Sequence, residues 1–217
     1  MQKELTANRL RSMATGIMFA TAFGSGWLFW SLIVWQRIGP STATCIWMGT
    51  LALLAGAAYV MKRARRRPLV ADDPGKGRAF AWITAIEWIA MAAVAFGCKW
   101  MRWELYLPSA VTMIVGLHYY PLARLFRNPI HYATGTSLVA WAAASAVTVP
   151  ADHRQGVSTL GTGAILWASA AVTLGRAMRA MRVGEVVART SLPADRGQTA
   201  GAEGYSSNAR TRDMMPR

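Results

Sequence analysis

Residues 15–35 read TGIMFATAFGSGWLFWSLIVW, and no charged side chain lies between Arg11 and Arg37. A helix rises ~1.5 Å per residue, so ~20 residues cross the ~30 Å hydrocarbon layer of a bilayer. This run is long enough. It ends in Trp-Gln-Arg instead of the small residues of a leader-peptidase site, and it exceeds the apolar stretch of a secretory leader. The reading is therefore an uncleaved first membrane span.

The same pattern repeats downstream. Residues 38–61, IGPSTATCIWMGTLALLAGAAYVM, form a second charge-free run. Four further candidates follow at Ala79–Cys98, Leu105–Ala123, Ile130–Val149 and Gly156–Gly175. The third and fourth runs each hold one ionisable residue, Glu87 and His118. The last two are rich in Ala, Gly, Ser and Thr, which weakens their hydropathy. The expected fold is all-α: a polytopic membrane protein, a bundle of six transmembrane helices.

Composition agrees. The chain has 217 residues, of which 53% are hydrophobic and only 16% charged, yet its net charge is +14. Such a charge suits either a nucleic-acid binder or a membrane protein with basic loops. The positions of the charges separate the two. If the N-terminus is cytoplasmic, 20 of the 24 Lys and Arg residues fall on the cytoplasmic side, leaving Arg37, Lys99, Arg102 and Arg154 outside. Basic residues beside the spans are retained in the cytoplasm. The asymmetry predicts that both termini are cytoplasmic and accounts for the charge without nucleic acid. Arg63, Arg65, Arg66 and Arg67, in the KRARRRP cluster at 62–68, and Arg124 and Arg127 serve as inner-face anchors. The cluster could also attract anionic lipid headgroups. Trp27, Trp30, Trp35, Trp100, Trp103 and Tyr106 crowd the outer ends of the first, third and fourth spans, where aromatic belts sit. Heavy Arg and Ala usage is the habit of GC-rich bacterial genomes, so the expected location is a bacterial inner (cytoplasmic) membrane, multi-pass.

The chain divides into a cytoplasmic N-terminal segment at 1–13, the bundle at 14–180, and a helix end with a disordered basic tail at 181–217. In that last region Arg176, Arg179 and Arg182 recur every third residue and share a helical face, so the sixth helix is expected to run on along the headgroups. Beyond Leu192 there is little to bury. Inside the spans, Gly16, Ala20 and Gly24, then Gly49, Ala52 and Gly56, then Gly161, Gly163, Ala164 and Ala168 let helices approach closely. The DDPGKG stretch at 72–77 lacks the spaced first glycine and the Ser/Thr of a phosphate loop, and Pro74-Gly75 reads as a turn. Cys45 and Cys98 fall near the outer face on the second and third spans, expected to be adjacent antiparallel helices, with free thiols and a disulfide both open.

The polar chemistry is concentrated at 116–135, GLHYYPLARLFRNPIHYATG. Gly116 to Arg124 reads as the inner end of the fourth helix. Arg127-Asn128-Pro129 reads as a tight turn, and Pro129 suits a first helical position. Pro121 lies inside the fourth helix and frees the Leu117 carbonyl, predicting a kink beside His118. The motif G-L-H-Y-Y-P at 116–121 resembles the G-x-H-F/Y-x-P signature of a family of small bacterial six-helix membrane proteins known as a domain of unknown function. The resemblance covers about 20 of 217 residues. It implies a bacterial membrane location and a special role for Gly116, His118 and Pro121, and it implies no activity.

Glu87 and His118 lie at similar depth on consecutive helices, and intramembrane ionisable groups usually pair. Two functions follow from such an intramembrane polar pair. One is a small transporter or permeation protein in which Glu87 and His118 line a proton-responsive cavity. The alternative is a structural or accessory protein that binds lipid or a protein partner. Metal binding by Glu87, His118 and His131 would need ligands gathered across the inner turn. Neither a Ser/His/Asp set nor paired carboxylates occur within the spans, so no enzyme and no cofactor is expected.

Overall fold

The computed structural model describes residues 7–36, 39–66 and 74–190. Six helices follow one another: α1 Ala7–Val34, α2 Pro40–Arg65, α3 Pro74–Trp100, α4 Leu107–Phe126, α5 Pro129–Thr148 and α6 Ala151–Thr190. A short 3-10 turn, Glu104–Tyr106, leads into α4. No strand occurs among the described residues. Four helices are long and apolar enough to cross a membrane: Ala7–Val34, Pro40–Arg65, Gly75–Trp100 and Ala151–Val183. The other two, α4 and α5, have 20 residues each and carry the polar 116–135 stretch.

Proline sets several helix starts. Pro40, Pro108 and Pro129 occupy first or second helical positions, where a missing N–H costs nothing. Pro74 belongs with them. It opens α3, so the turn expected at Pro74-Gly75 is instead the first turn of a helix. The sixth helix is also longer than its apolar run: it continues unbroken from Ala151 to Thr190. Residues beyond 190, including the expected tail, lie outside the described residues.

The core is organised on α1. Leu10, Ala14, Ile17, Thr21, Gly24, Leu28 and Leu32 are buried at spacings of three and four. They face α2 and α6. Leu10 and Ala14 cluster with Val60 and Ala64 near the end of α2 and with Ala177 and Met181 late in α6. Early α1 and late α6 therefore meet at one end of the bundle, and packing extends past both 14 and 180. At the opposite end Trp35 packs on Gly156, Gln155 donates to the Glu104 carbonyl, and the Arg154 guanidinium lies 4.5 Å from the Tyr106 ring centroid.

Two backbone approaches hold the halves tight. A Cβ added at Gly163 would sit 2.8 Å from the Gly24 carbonyl oxygen, joining α1 to α6. A Cβ added at Gly135 would sit 2.7 Å from the Gly116 carbonyl oxygen, joining α4 to α5. Gly49 and Gly56 receive Trp167 and Leu174 of α6. These small residues are consumed within the chain.

Helix α3 is the outlier. It packs mainly on α4, and its span has no buried residue. Trp82, Ile86, Trp88, Ile89 and Phe96 are exposed along it. Apolar surface on that scale is not left in water. The expected neighbourhood of α2 and α3 is not found: the two make no extended contact. Cys45 and Cys98 are accordingly free thiols.

Candidate functional site

Glu87 projects from the middle of α3, and His118 from α4. His118 Nδ1 lies 3.2 Å from Glu87 Oε2, and the two side chains are only 10% and 14% exposed, respectively. One side chain of α4 thus meets the middle of α3.

The pair has two chemically complete states. An imidazolium can donate to a carboxylate, or a neutral imidazole nitrogen can accept from a protonated Glu87. Both place a proton between the helices. A lone ionised group would be far costlier there, which is the physical reason for the pairing.

His118 begins a chain of rings. Its centroid lies 6.4 Å from that of Tyr119, Tyr119 lies 5.6 Å from His131, and His131 lies 6.4 Å from Phe126. Phe126 reaches back to Phe80 of α3 at 6.0 Å. Asn128 caps α5 by accepting from the Ile130 N–H at 3.2 Å, and its amide approaches His131 Nε2 at 3.4 Å. Tyr120 shares a 2.9 Å hydrogen bond with Thr136. The polar residues of the 116–135 stretch therefore join α3, α4 and α5. Gly116 is fixed by its contact with Gly135. Pro121 is exposed, and α4 continues through it.

Two cavities stand out, and neither is lined by Glu87 or His118. One is a shallow groove along Arg78, Ala81, Trp82 and Ala85. The other, of about 280 Å³, lies between α1, the α4–α5 turn and α6, at the end where early α1 meets late α6. Among the described residues no three potential metal ligands converge.

The basic anchors are scattered at the surface. Arg63 donates to the Tyr59 hydroxyl at 3.1 Å, and Arg65, Arg66 and Arg124 are exposed. Arg127 is exposed and ends α4 in the left-handed conformation. Arg67 lies outside the described residues.

A set of buried hydroxyls was not singled out in the sequence. Ser25 meets Thr50 at 2.7 Å and accepts from the Trp167 indole at 3.1 Å. Ser109 meets Ser145 at 3.2 Å and Ser158 at 3.1 Å. Thr112 pairs with Thr162, and Thr134 with Ser169, both at 2.7 Å. Within such a pair one hydroxyl donates to the other, whose own proton is free for the carbonyl four residues earlier, as with Thr112 to Pro108 or Thr162 to Ser158, and Thr134 to Ile130. The available signal was Ser/Thr at helical spacing inside apolar runs, as in Ser109/Thr112 and Ser158/Thr162. No protein-family model, no curated protein and no solved structure matches this chain.

Proposed function

We propose that the chain is a six-span protein of a bacterial cytoplasmic membrane, with both termini inside, and that it is a structural or accessory component that binds lipid. One observation carries this reading. The Glu87–His118 pair closes the joint between α4 and the outermost helix α3, at 3.2 Å and largely shielded from solvent. A pair that clamps one helix to one neighbour does the work of an interhelical fastener. It lets α3 lean out and offer a tryptophan-rich face to acyl chains.

The small transporter is the second reading, and one observation favours it: Tyr119 contacts both His118 and His131 and lines the inner cavity. The resemblance of G-L-H-Y-Y-P to the bacterial six-helix family sits with either reading. Under both, α4 and α5 cross the membrane despite their polar residues, because neighbouring helices shield part of their surface from lipid.

Topology is checked first. Reporter fusions after Lys62, Arg127 and Arg217 are expected to read cytoplasmic, and a fusion after Trp100 periplasmic. A periplasmic signal after Arg127 would mean that α4 and α5 form a re-entrant pair and that only four helices cross.

A further inference from the structure

We propose that the 280 Å³ cavity at the inner end of the bundle is a binding site for a phosphate-bearing anion. Its rim carries Arg9 from α1, Arg127 from the α4–α5 turn and Arg176 from α6. Tyr119 and His131 line it as well, and no described residue lining it is acidic. Three exposed arginines from three separate elements thus line one space, and none of the described residues lining it is a carboxylate. Arginine stays charged and presents a planar fork that fits phosphate oxygens. The N-terminus of α5 at Pro129 and Ile130 adds the positive end of a 20-residue helix to the same wall.

Arg127 supplies a second, independent observation. It sits at φ 49° and ψ 42° as the C-terminal cap of α4. Glycine is the usual residue in that conformation, because a Cβ makes it unfavourable. An arginine here sacrifices some backbone stability and places a guanidinium at the cavity rim. Gly16 leaves space on the facing helix: a Cβ added there would meet nothing within 4 Å. His131 Nδ1 is buried without a hydrogen-bond partner.

The space suits a phosphate with a small polar substituent and is too small for acyl chains as well. The ligand is either the headgroup of an anionic lipid, with its chains outside the cavity, or a free phosphate compound. The lipid arm deepens the lipid-binding reading and rests on it.

The full chain, purified in a neutral detergent, is examined by native mass spectrometry with added phosphatidylglycerol or phosphatidylcholine. Thermal stability is measured in parallel with and without inorganic phosphate. Wild type should retain phosphatidylglycerol over phosphatidylcholine. Arg127→Gly should weaken that retention roughly tenfold, the size expected for losing a charge-assisted contact, while its melting temperature holds or rises. Arg9→Gln combined with Arg176→Gln should weaken it further, and Lys99→Gln, at the exposed end of α3, should leave it unchanged. Stabilisation by inorganic phosphate that is lost in Arg127→Gly, without lipid retention, would support the site with a soluble ligand. Equal lipid retention and equal phosphate response in wild type, Arg127→Gly and the Arg9/Arg176 variant would overturn the proposal. Carbonate extraction separates the two readings. A chain that resists extraction yet shows no arginine-dependent binding sinks the cavity site alone, whereas a chain released by carbonate sinks the membrane reading itself.

Discussion

Replacing Glu87 with Leu, or His118 with Leu, is expected to destabilise the protein, and replacing both is expected to cost far less than the sum. Each side chain is largely shielded from solvent and 3.2 Å from the other. Removing one leaves its partner desolvated with nothing to bond. Stranding an ionised group costs about 3–5 kcal/mol, whereas losing one neutral hydrogen bond between membrane helices averages about 0.6 kcal/mol. The size of the coupling therefore reports the charge state of the pair. Glu87→Gln sharpens the distinction. A Gln amide can still donate to a neutral imidazole, so near-normal stability means a neutral pair, and a loss close to that of Glu87→Leu means an ionic one. Melting curves in detergent supply the cycle. Coupling below ~0.3 kcal/mol would be additivity within error and would place the two groups in separate environments.

The second large effect is expected at Gly135. Its replacement by Ala puts a methyl group 2.7 Å from the Gly116 carbonyl oxygen, and that atom is backbone. No rotamer change can relieve the contact, so α4 and α5 must separate. Overpacking of this kind costs about 1–3 kcal/mol. The displacement falls two residues from His118, so the joint with α3 should loosen as well. Gly16→Ala is the control. Nothing lies within 4 Å of its added Cβ, and Ala is favoured over Gly inside helices by ~1 kcal/mol. A lowered melting temperature for Gly135→Ala with an unchanged or raised one for Gly16→Ala is the expected result. Equal melting temperatures would show that α4 and α5 do not touch at these glycines.

Much of this architecture is legible in the sequence because hydropathy and helix punctuation act locally. Charge-free runs mark α1 and α2, and Asn128-Pro129 marks the start of α5. Pro74 is ambiguous in sequence because Pro-Gly also begins turns, and only the helix that follows decides which. The length of α6 was only partly legible, since its later turns are basic and their packing through Ala177 and Met181 depends on α1 and α2. Glu87 and His118 could be singled out by rarity alone. The peripheral place of α3, to which they join α4, could not, because helix order in sequence does not give helix neighbours in space. The hydroxyl pairs were hidden for a related reason: Ser and Thr lower hydropathy whether or not a partner waits on the next helix. The arginines lining the cavity between α1, the α4–α5 turn and α6 lie far apart along the chain, and the sequence offers no sign that they share one space.

As an interhelical fastener, the Glu87–His118 pair holds a helix and carries no protons. Proton flux into liposomes containing the purified protein, followed with a trapped pH-sensitive dye under an imposed gradient, tests it directly. Flux equal to that of protein-free liposomes is expected, with no difference between wild type and a folded Glu87→Gln variant. Flux well above the lipid background in wild type, lost in Glu87→Gln protein that still melts cooperatively, would contradict it and make the pair a proton path.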